Sequence, residues 1–456
     1  MTRTTQDRGN PMFRWTQSIT AKVLGVALLA LIMLIPLSQA DGLVRERQAM
    51  RDAASVRVAE GWGGPQTIGG FVLAVPTRQD MRGSDGKVVS VRDGTEIVLA
   101  DELTTVADLV VERRHAGMYE VPVYTGEVTL RGRLLPSDVR RFAADSTASW
   151  SPGKAELRLL IADTRGLQGI TSVTIDGHDA RLSSSAARMG PYTVLATPIQ
   201  IDPERETPVD FAMTLRIAGT ESFSVLPMAR TNTMRLRAPW PDPSFTGALL
   251  PGTHRVDARG FDASWQVLDL NRPYGQHWDA NDGDVASRLE PSAVGVKLYQ
   301  AGGVYQQNDR AGKYGLLFIA LTFVAFFLFE VLKGLRLHPV QYLLVGAAMA
   351  SFYVLLLALS EQIGFGPAYA VAAATVVLIV GGYAMAALRA RRAGLVLGGV
   401  IALVYAILYG LIGAEQYALL IGSAVLVGVI ALLMYLTRRI DWYAHTAPPL
   451  APLDTP

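Results

Sequence analysis

The sequence predicts a membrane α-helical bundle of six transmembrane helices carrying a large, mostly antiparallel β extracytoplasmic domain. Three observations predict it. Apolar residues make up 50% of the 456-residue chain, yet they concentrate in one early run and in nearly everything after residue 314. Between these regions lie short β-rich runs broken by glycine, proline and aspartate. Lys and Arg collect at every second end of the late apolar runs, as a chain that crosses a bilayer back and forth requires.

Residues 1–19 read as a cytoplasmic segment, because Arg3, Arg8, Arg14 and Lys22 stand at or before the first apolar run. That run, a transmembrane anchor over 20–40, holds the solid stretch VLGVALLALIMLIPL from Val23 to Leu37. With its flanks it reaches the ~20 residues that a span needs. A cleaved signal peptide is the competing reading, since Ser38 and Ala40 are small residues behind the apolar core. The long segment ahead of the run favours an anchor. Either way, residue 41 onward lies outside.

Residues 41–313 read as a stalk followed by the β domain. From Asp41 to Glu60, charges such as Arg45, Glu46, Arg51 and Asp52 intersperse with Leu43, Met50, Val56 and Val58, the pattern of a juxtamembrane helix. Beyond it, Ile68–Pro76, Lys87–Val91, Tyr119–Leu135, Ala155–Asp163, Thr171–Gly177, Pro191–Ile201 and Pro208–Gly219 alternate apolar and polar positions, as half-buried strands do. Asp93-Gly94 suggests a hairpin turn.

Residues 314–437 supply five helices, at Tyr314–Val331, Val340–Ser360, Phe365–Leu388, Ala393–Ile412 and Tyr417–Leu436. Lys333, Arg336 and His338 follow the first, Arg389, Arg391 and Arg392 the third, and Arg438 and Arg439 the fifth. The alternate loops carry only Glu361 and Glu415 as charges. This positive-inside pattern puts both termini in the cytoplasm, with 438–456 as a cytoplasmic tail.

A net charge of +2 argues against a nucleic-acid partner, and the absence of cysteine removes disulfides, Cys-ligated metals and thiol nucleophiles. No phosphate-binding, dinucleotide, zincin or serine-hydrolase motif is present, and the six histidines are scattered, so no cofactor is expected. Asp279-Ala280-Asn281-Asp282-Gly283-Asp284 has the composition of a calcium loop, but its glycine is one position early for an EF-hand. A solvated turn is the simpler reading.

Two groups of residues remain as candidates. Trp240, Phe261 and Trp265 are aromatic centres in a turn-rich stretch; they either fill the β core or line a ligand site. Glu330 lies inside an apolar run, where a carboxylate is costly unless neutral, paired or near the headgroups, and Lys333 and Arg336 are the expected partners. His338, Gln341 and Tyr342 at one turn, and Glu361 at another, are candidate coupling points whose simpler role is to end and anchor helices.

The blocks WGGPQTIGG (Trp62–Gly70), WPDPSFTGALLP (Trp240–Pro251), GFDASW (Gly260–Trp265), LFEVLKGLRLHPVQYLLVG (Leu328–Gly346), SFYVLLLALSEQIGF (Ser351–Phe365) and DWY (Asp441–Tyr443) occur in a fixed order. Through them the chain resembles, over almost its whole length, the CreD family of bacterial inner-membrane proteins. Phe71 stands where the family pattern leads one to expect proline. The resemblance implies six spans in the inner membrane, a large periplasmic domain and no catalytic residue set. It also implies a link to envelope stress, colicin tolerance or β-lactam response, often under a two-component system of the CreB/CreC type.

The expected function is therefore a non-enzymatic protein of cell-envelope integrity or stress response, whose periplasmic domain binds or senses an envelope component. A transporter or exporter of a lipid or small amphipathic compound is the alternative, and a hydrolase is a third. Expected partners are membrane lipid and a periplasmic or inner-membrane protein. Small residues in the spans suit contacts within one bundle or between protomers equally.

Overall fold

The computed structural model describes residues 19–82, 84, 85, 87–298, 303–333, 337–387, 391–414 and 417–438. Arg3, Arg8, Arg14, Arg336, Arg389, Glu415, Arg439 and the DWY motif lie outside them, as does the side chain of Lys333. The helices are α1 (Ile19–Ile32), α2 (Leu34–Trp62), α3 (Pro136–Ala144), α4 (Gly283–Ser292), α5 (Val304–Lys313), α6 (Gly315–Lys333), α7 (Pro339–Ile363), α8 (Phe365–Ala387), α9 (Arg391–Gly413) and α10 (Ala418–Thr437). The chain divides into two compact units, Met50–Ala301 and Met1–Ala49 with Gly302–Pro456.

The first of these is the β unit. One sheet runs in the order Thr253–Asp257, Gly260–Leu268, Ala229–Ala238, Ala100–Ala116, Tyr119–Leu134, Val209–Thr220, Leu167–Ile175 and His178–Asp179. The other centres on the long strand Gln66–Arg82, which pairs with Ala155–Ile161, Val88–Val98 and Ser222–Val225. Inward positions of these strands build one core, including Phe71, Leu73, Leu103, Leu130, Leu157, Phe211 and Phe223. Phe71 is fully buried edge-on to Phe211, with ring centroids 5.3 Å apart.

The sheets are mixed, which corrects the expectation of a mostly antiparallel domain. Gln66–Ile68 runs parallel to Phe223–Val225, and Ala229–Arg237 parallel to Ala100–Asp108. Alternation in sequence reports which face of a strand is buried, not the direction of its neighbour. The pairs that become parallel are far apart in the chain, where a long connection replaces the hairpin. The Asp93-Gly94 turn is also corrected. Both residues pair within a strand, opposite Arg78 and Thr77.

The membrane unit corrects the count of six spans. Among the described residues, four helices are long and apolar enough to cross a bilayer: Ala21–Trp62, Pro339–Ile363, Phe365–Ala387 and Gly394–Gly413. A fifth results if α5 and α6, bent by 45° to one another, act as one span. The apolar part of α10, Leu420–Tyr435, spans only about 24 Å at 1.5 Å per residue, short of the ~30 Å hydrocarbon layer. The break between α1 and α2 has a local cause: Pro36 has no N–H to give the Ile32 carbonyl, and its ring crowds that turn.

Met33, Leu37 and Ala40 pack in one core with Phe318, Ile319 and Phe323 of α6 and with Met349, Phe352 and Leu356 of α7. Gly346 permits this approach. A Cβ there would lie 2.6 Å from Met33 Sδ and 2.8 Å from Phe323 Cζ.

Candidate functional site

Glu330 on α6 is 4% exposed, and its carboxylate is fully engaged. Lys22 Nζ on α1 lies 2.7 Å from Oε1, the Leu337 N–H donates to the same oxygen at 3.2 Å, and the Tyr342 hydroxyl donates to Oε2 at 3.0 Å. Residues from α1, α6 and α7 thus meet on one carboxylate. The cost of an intramembrane charge is offset by a cation and two hydrogen bonds. Among the described residues the cation is Lys22, which sequence reading assigned to setting orientation, while the expected partners Lys333 and Arg336 fall outside the described side chains; no local spacing links positions 308 residues apart.

His338 and Gln341 hold the start of α7. The His338 Nδ1 accepts from the Val340 N–H at 3.3 Å, and the Gln341 Oε1 accepts from the His338 N–H at 3.0 Å, with Pro339 in the first turn. This reciprocal cap satisfies helix donors that would otherwise be orphaned, so both side chains serve helix termination. Capping also fixes the position of Tyr342 one turn on.

At the other end of α7, Glu361 accepts a hydrogen bond from the Tyr305 hydroxyl at 2.9 Å, and Arg47 Nε stands 3.9 Å away. Asn308 donates to Ser360 Oγ at 2.9 Å beside it. Tyr342 and Glu361 are separated by about 28 Å along the helix, close to the ~30 Å hydrocarbon thickness. The two polar clusters therefore sit where headgroup regions would be. Sequence reading missed Lys22, Arg47, Tyr305 and Asn308 as partners; polar residues on a helix face were the only available signal.

In the β unit, Trp240, Phe261 and Trp265 are 6%, 5% and 2% exposed and belong to the core. The Trp265 Nε1 donates to the Leu249 carbonyl at 3.2 Å and the Trp240 Nε1 to the Asp242 carbonyl at 3.1 Å. Phe245 packs edge-on to both Phe261 and Trp265, at 5.8 and 5.9 Å. These aromatics fill the core and do not line an open aromatic pocket.

A charged cleft of about 340 Å³ has Phe261 in its wall. Arg237 bonds Asp108 through two nitrogens at 2.6 and 2.7 Å, and Arg235 bonds Asp262 on the neighbouring strand. The Arg235 guanidinium holds the Asp262 carboxyl below the usual carboxylate range. Arg255 and Arg259 also line the cleft; both are exposed, and among the described residues neither guanidinium forms an ion pair. Asp257 is also in the wall, its carboxylate accepting from the Arg259 N–H at 2.8 Å, so that, counting the Arg235 that bonds Asp262, four guanidinium groups face three carboxylates and the cleft keeps an excess of one positive charge.

The acidic stretch at 279–284 is a helix start. Asp282 accepts from the Asp284 and Val285 N–H groups at 3.0 and 3.3 Å, which caps α4, and Asp279 accepts from the Asn281 N–H at 2.8 Å. Among the described residues no group of three or more His, Asp or Glu side chains is arranged to hold a metal.

Residues 18–443 match the family described as inner membrane protein CreD. The inner membrane protein CreD of Escherichia coli (strain K12) is 32% identical over 420 residues, covering 92% of each chain. Among solved structures, native leukotriene A4 hydrolase from Saccharomyces cerevisiae is 13% identical, with a TM-score of 0.20 over 37% of this chain and 27% of that one. An M1 zinc metallopeptidase from Deinococcus radiodurans is 11% identical, with a TM-score of 0.21 over 77% of this chain and 96% of that one. Values this low carry no argument about fold or activity.

Proposed function

From the premise that the chain belongs to the CreD family of inner membrane proteins, we propose that it is a non-enzymatic, multi-pass envelope protein whose β unit binds an anionic component of the cell envelope. In this reading residues 41–313, which include the β unit, are periplasmic, both termini are cytoplasmic, and the protein serves envelope integrity or stress response. The observation that carries the reading is the exposed cleft in which Arg255 and Arg259 stand without ion pairs. Two guanidinium groups suit a phosphate or carboxylate, which each can grip with paired donors.

Of the three buried aromatics, Phe261 lines the cleft. Glu330, His338, Gln341, Tyr342 and Glu361 tie helix ends together, which favours a fixed scaffold. The transport alternative needs a carboxylate free to exchange partners, and Glu330 has both oxygens engaged.

The test is a photoreactive residue at the exposed Asp257 position in intact cells, with mass spectrometry of the products. A saturable adduct with one anionic envelope component, suppressed by Arg255→Glu and Arg259→Glu, is expected. Correctly inserted protein that gives no specific adduct, or adducts indifferent to both arginines, would overturn the reading.

A further inference from the structure

The membrane unit contains a groove of about 630 Å³ between α1, α6 and α10, and its lining is apolar apart from Thr437. Val23 to Leu31 form one wall and Leu316 to Val331 a second, while Leu433 and Thr437 of α10 close the third. Along α6 the groove extends about 22 Å at 1.5 Å per residue, longer than one ~15 Å leaflet of hydrocarbon. It therefore has room for a whole acyl chain lying along the helices.

The two ends of the groove differ in charge. Val23, Val331 and Thr437 mark one end, and their chain neighbours are Lys22, Glu330 and Arg438. The Lys22 side chain is 38% exposed, and of its three N–H donors Glu330 takes one. Arg438 is exposed, with its guanidinium 4.1 Å from the centre of the Tyr435 ring. Among the described residues, two cations against one carboxylate leave this end with a net positive charge. No charged residue lines or adjoins Leu31 or Leu316 at the other end.

We infer that this groove holds one anionic phospholipid, with an acyl chain along α1 and α6 and its phosphate between Lys22 and Arg438. A zwitterionic lipid fits the apolar part equally well but gains less at the cationic end. That this end faces the cytoplasm rests on the orientation proposed above; the lipid site itself does not.

The full-length chain in detergent is exchanged with dioleoyl phosphatidylglycerol or dioleoyl phosphatidylcholine, and retained lipids are counted by native mass spectrometry. Wild type is expected to keep one phosphatidylglycerol through stripping that removes phosphatidylcholine. Ala27→Phe and Ala320→Phe, which fill the groove from opposite walls, are expected to lose it while melting as wild type does. Arg438→Gln, in the exposed last turn, is expected to lower the preference about fivefold and leave the apolar fit intact.

Equal retention of the two lipids by wild type would overturn the inference, as would retention unaffected by a folded groove-filling variant. If neither filler folds, an unchanged preference in R438Q overturns it alone. Orientation is read separately, by labelling single cysteines placed at Asp257 and Arg438 with a membrane-impermeant reagent, against a background free of native cysteine. Labelling from the wrong side would reject the proposed topology and leave the lipid site standing.

Discussion

Removing either partner of the Lys22–Glu330 pair leaves a different charge behind, and the two losses are unequal. The Glu330 side chain is 5% exposed and the Lys22 side chain 38%. Lys22→Met strands a carboxylate that has little access to water, and loss of one partner from a buried pair costs about 3–5 kcal/mol. Glu330→Gln strands an ammonium on a flexible stem that reaches the interface, and the neutral amide still accepts one hydrogen bond. That variant should cost about 2 kcal/mol, the scale of a hydrogen bond to a charged group. The double variant K22M/E330Q leaves no unpaired charge, so its cost should fall short of the sum of the singles by about 1–3 kcal/mol. The assay is reversible unfolding of the full chain in detergent, followed by helical circular dichroism. An E330Q variant as damaging as K22M, or singles that add within about 0.5 kcal/mol, would refute the pairing and the burial argument together.

Two other perturbations address the β unit. Gly247→Ala should cost roughly 3 kcal/mol, because Gly247 has φ +110° and an added Cβ would overlap the Ala293 carbonyl oxygen and lie 2.8 Å from the Val294 Cα; an urea midpoint equal to that of wild type would contradict this. Asp262 has its carboxyl held low by the Arg235 guanidinium, so its contribution to stability is complete above about pH 4, the unfolded value, and disappears as pH falls through the lower folded value. The stability gap between wild type and Asp262→Asn should therefore close on acidification, and urea titrations giving the same gap at pH 6 and near pH 3 would count against that linkage.

Much of the fold was legible because it rests on local periodicity. The strand predicted at Tyr119–Leu135 is found at Tyr119–Leu134, and that at Pro208–Gly219 at Val209–Thr220; large apolar residues alternate strictly in the second, whereas in the first they fall on odd positions to Val123 and on even positions from Val128. Ala100–Ala116 escaped notice because its inward positions include Ala100, Thr105 and Ala107, small or polar residues that give alternation little contrast. The juxtamembrane helix was legible from Asp41 to Glu60, and the structure extends it over Leu34–Trp62. The span count failed where length was marginal: the described apolar part of α10, Leu420–Tyr435, is short, and the bend between α5 and α6 has no proline to announce it.

The candidate residues divide along the same line. His338 and Gln341 form a cap between neighbours, and a cap four residues long is written in the local chain. Trp240, Phe261 and Trp265 were equally compatible with a core and a pocket, because side-chain chemistry alone does not say what covers a ring.

The sequence by itself determined that this chain is a membrane protein with a β-rich insertion, and the ordered blocks from Trp62 to Phe365 carried its family. Hydropathy and alternation act over a few turns or strands, so they survive in one dimension. Only the tertiary structure decided that two strand pairs run parallel, that Glu330 meets Lys22, and that Arg255 and Arg259 share a cleft with the buried Phe261. Those outcomes depend on which distant segments come together, and that is set by the summed burial of many surfaces that no single stretch of sequence encodes.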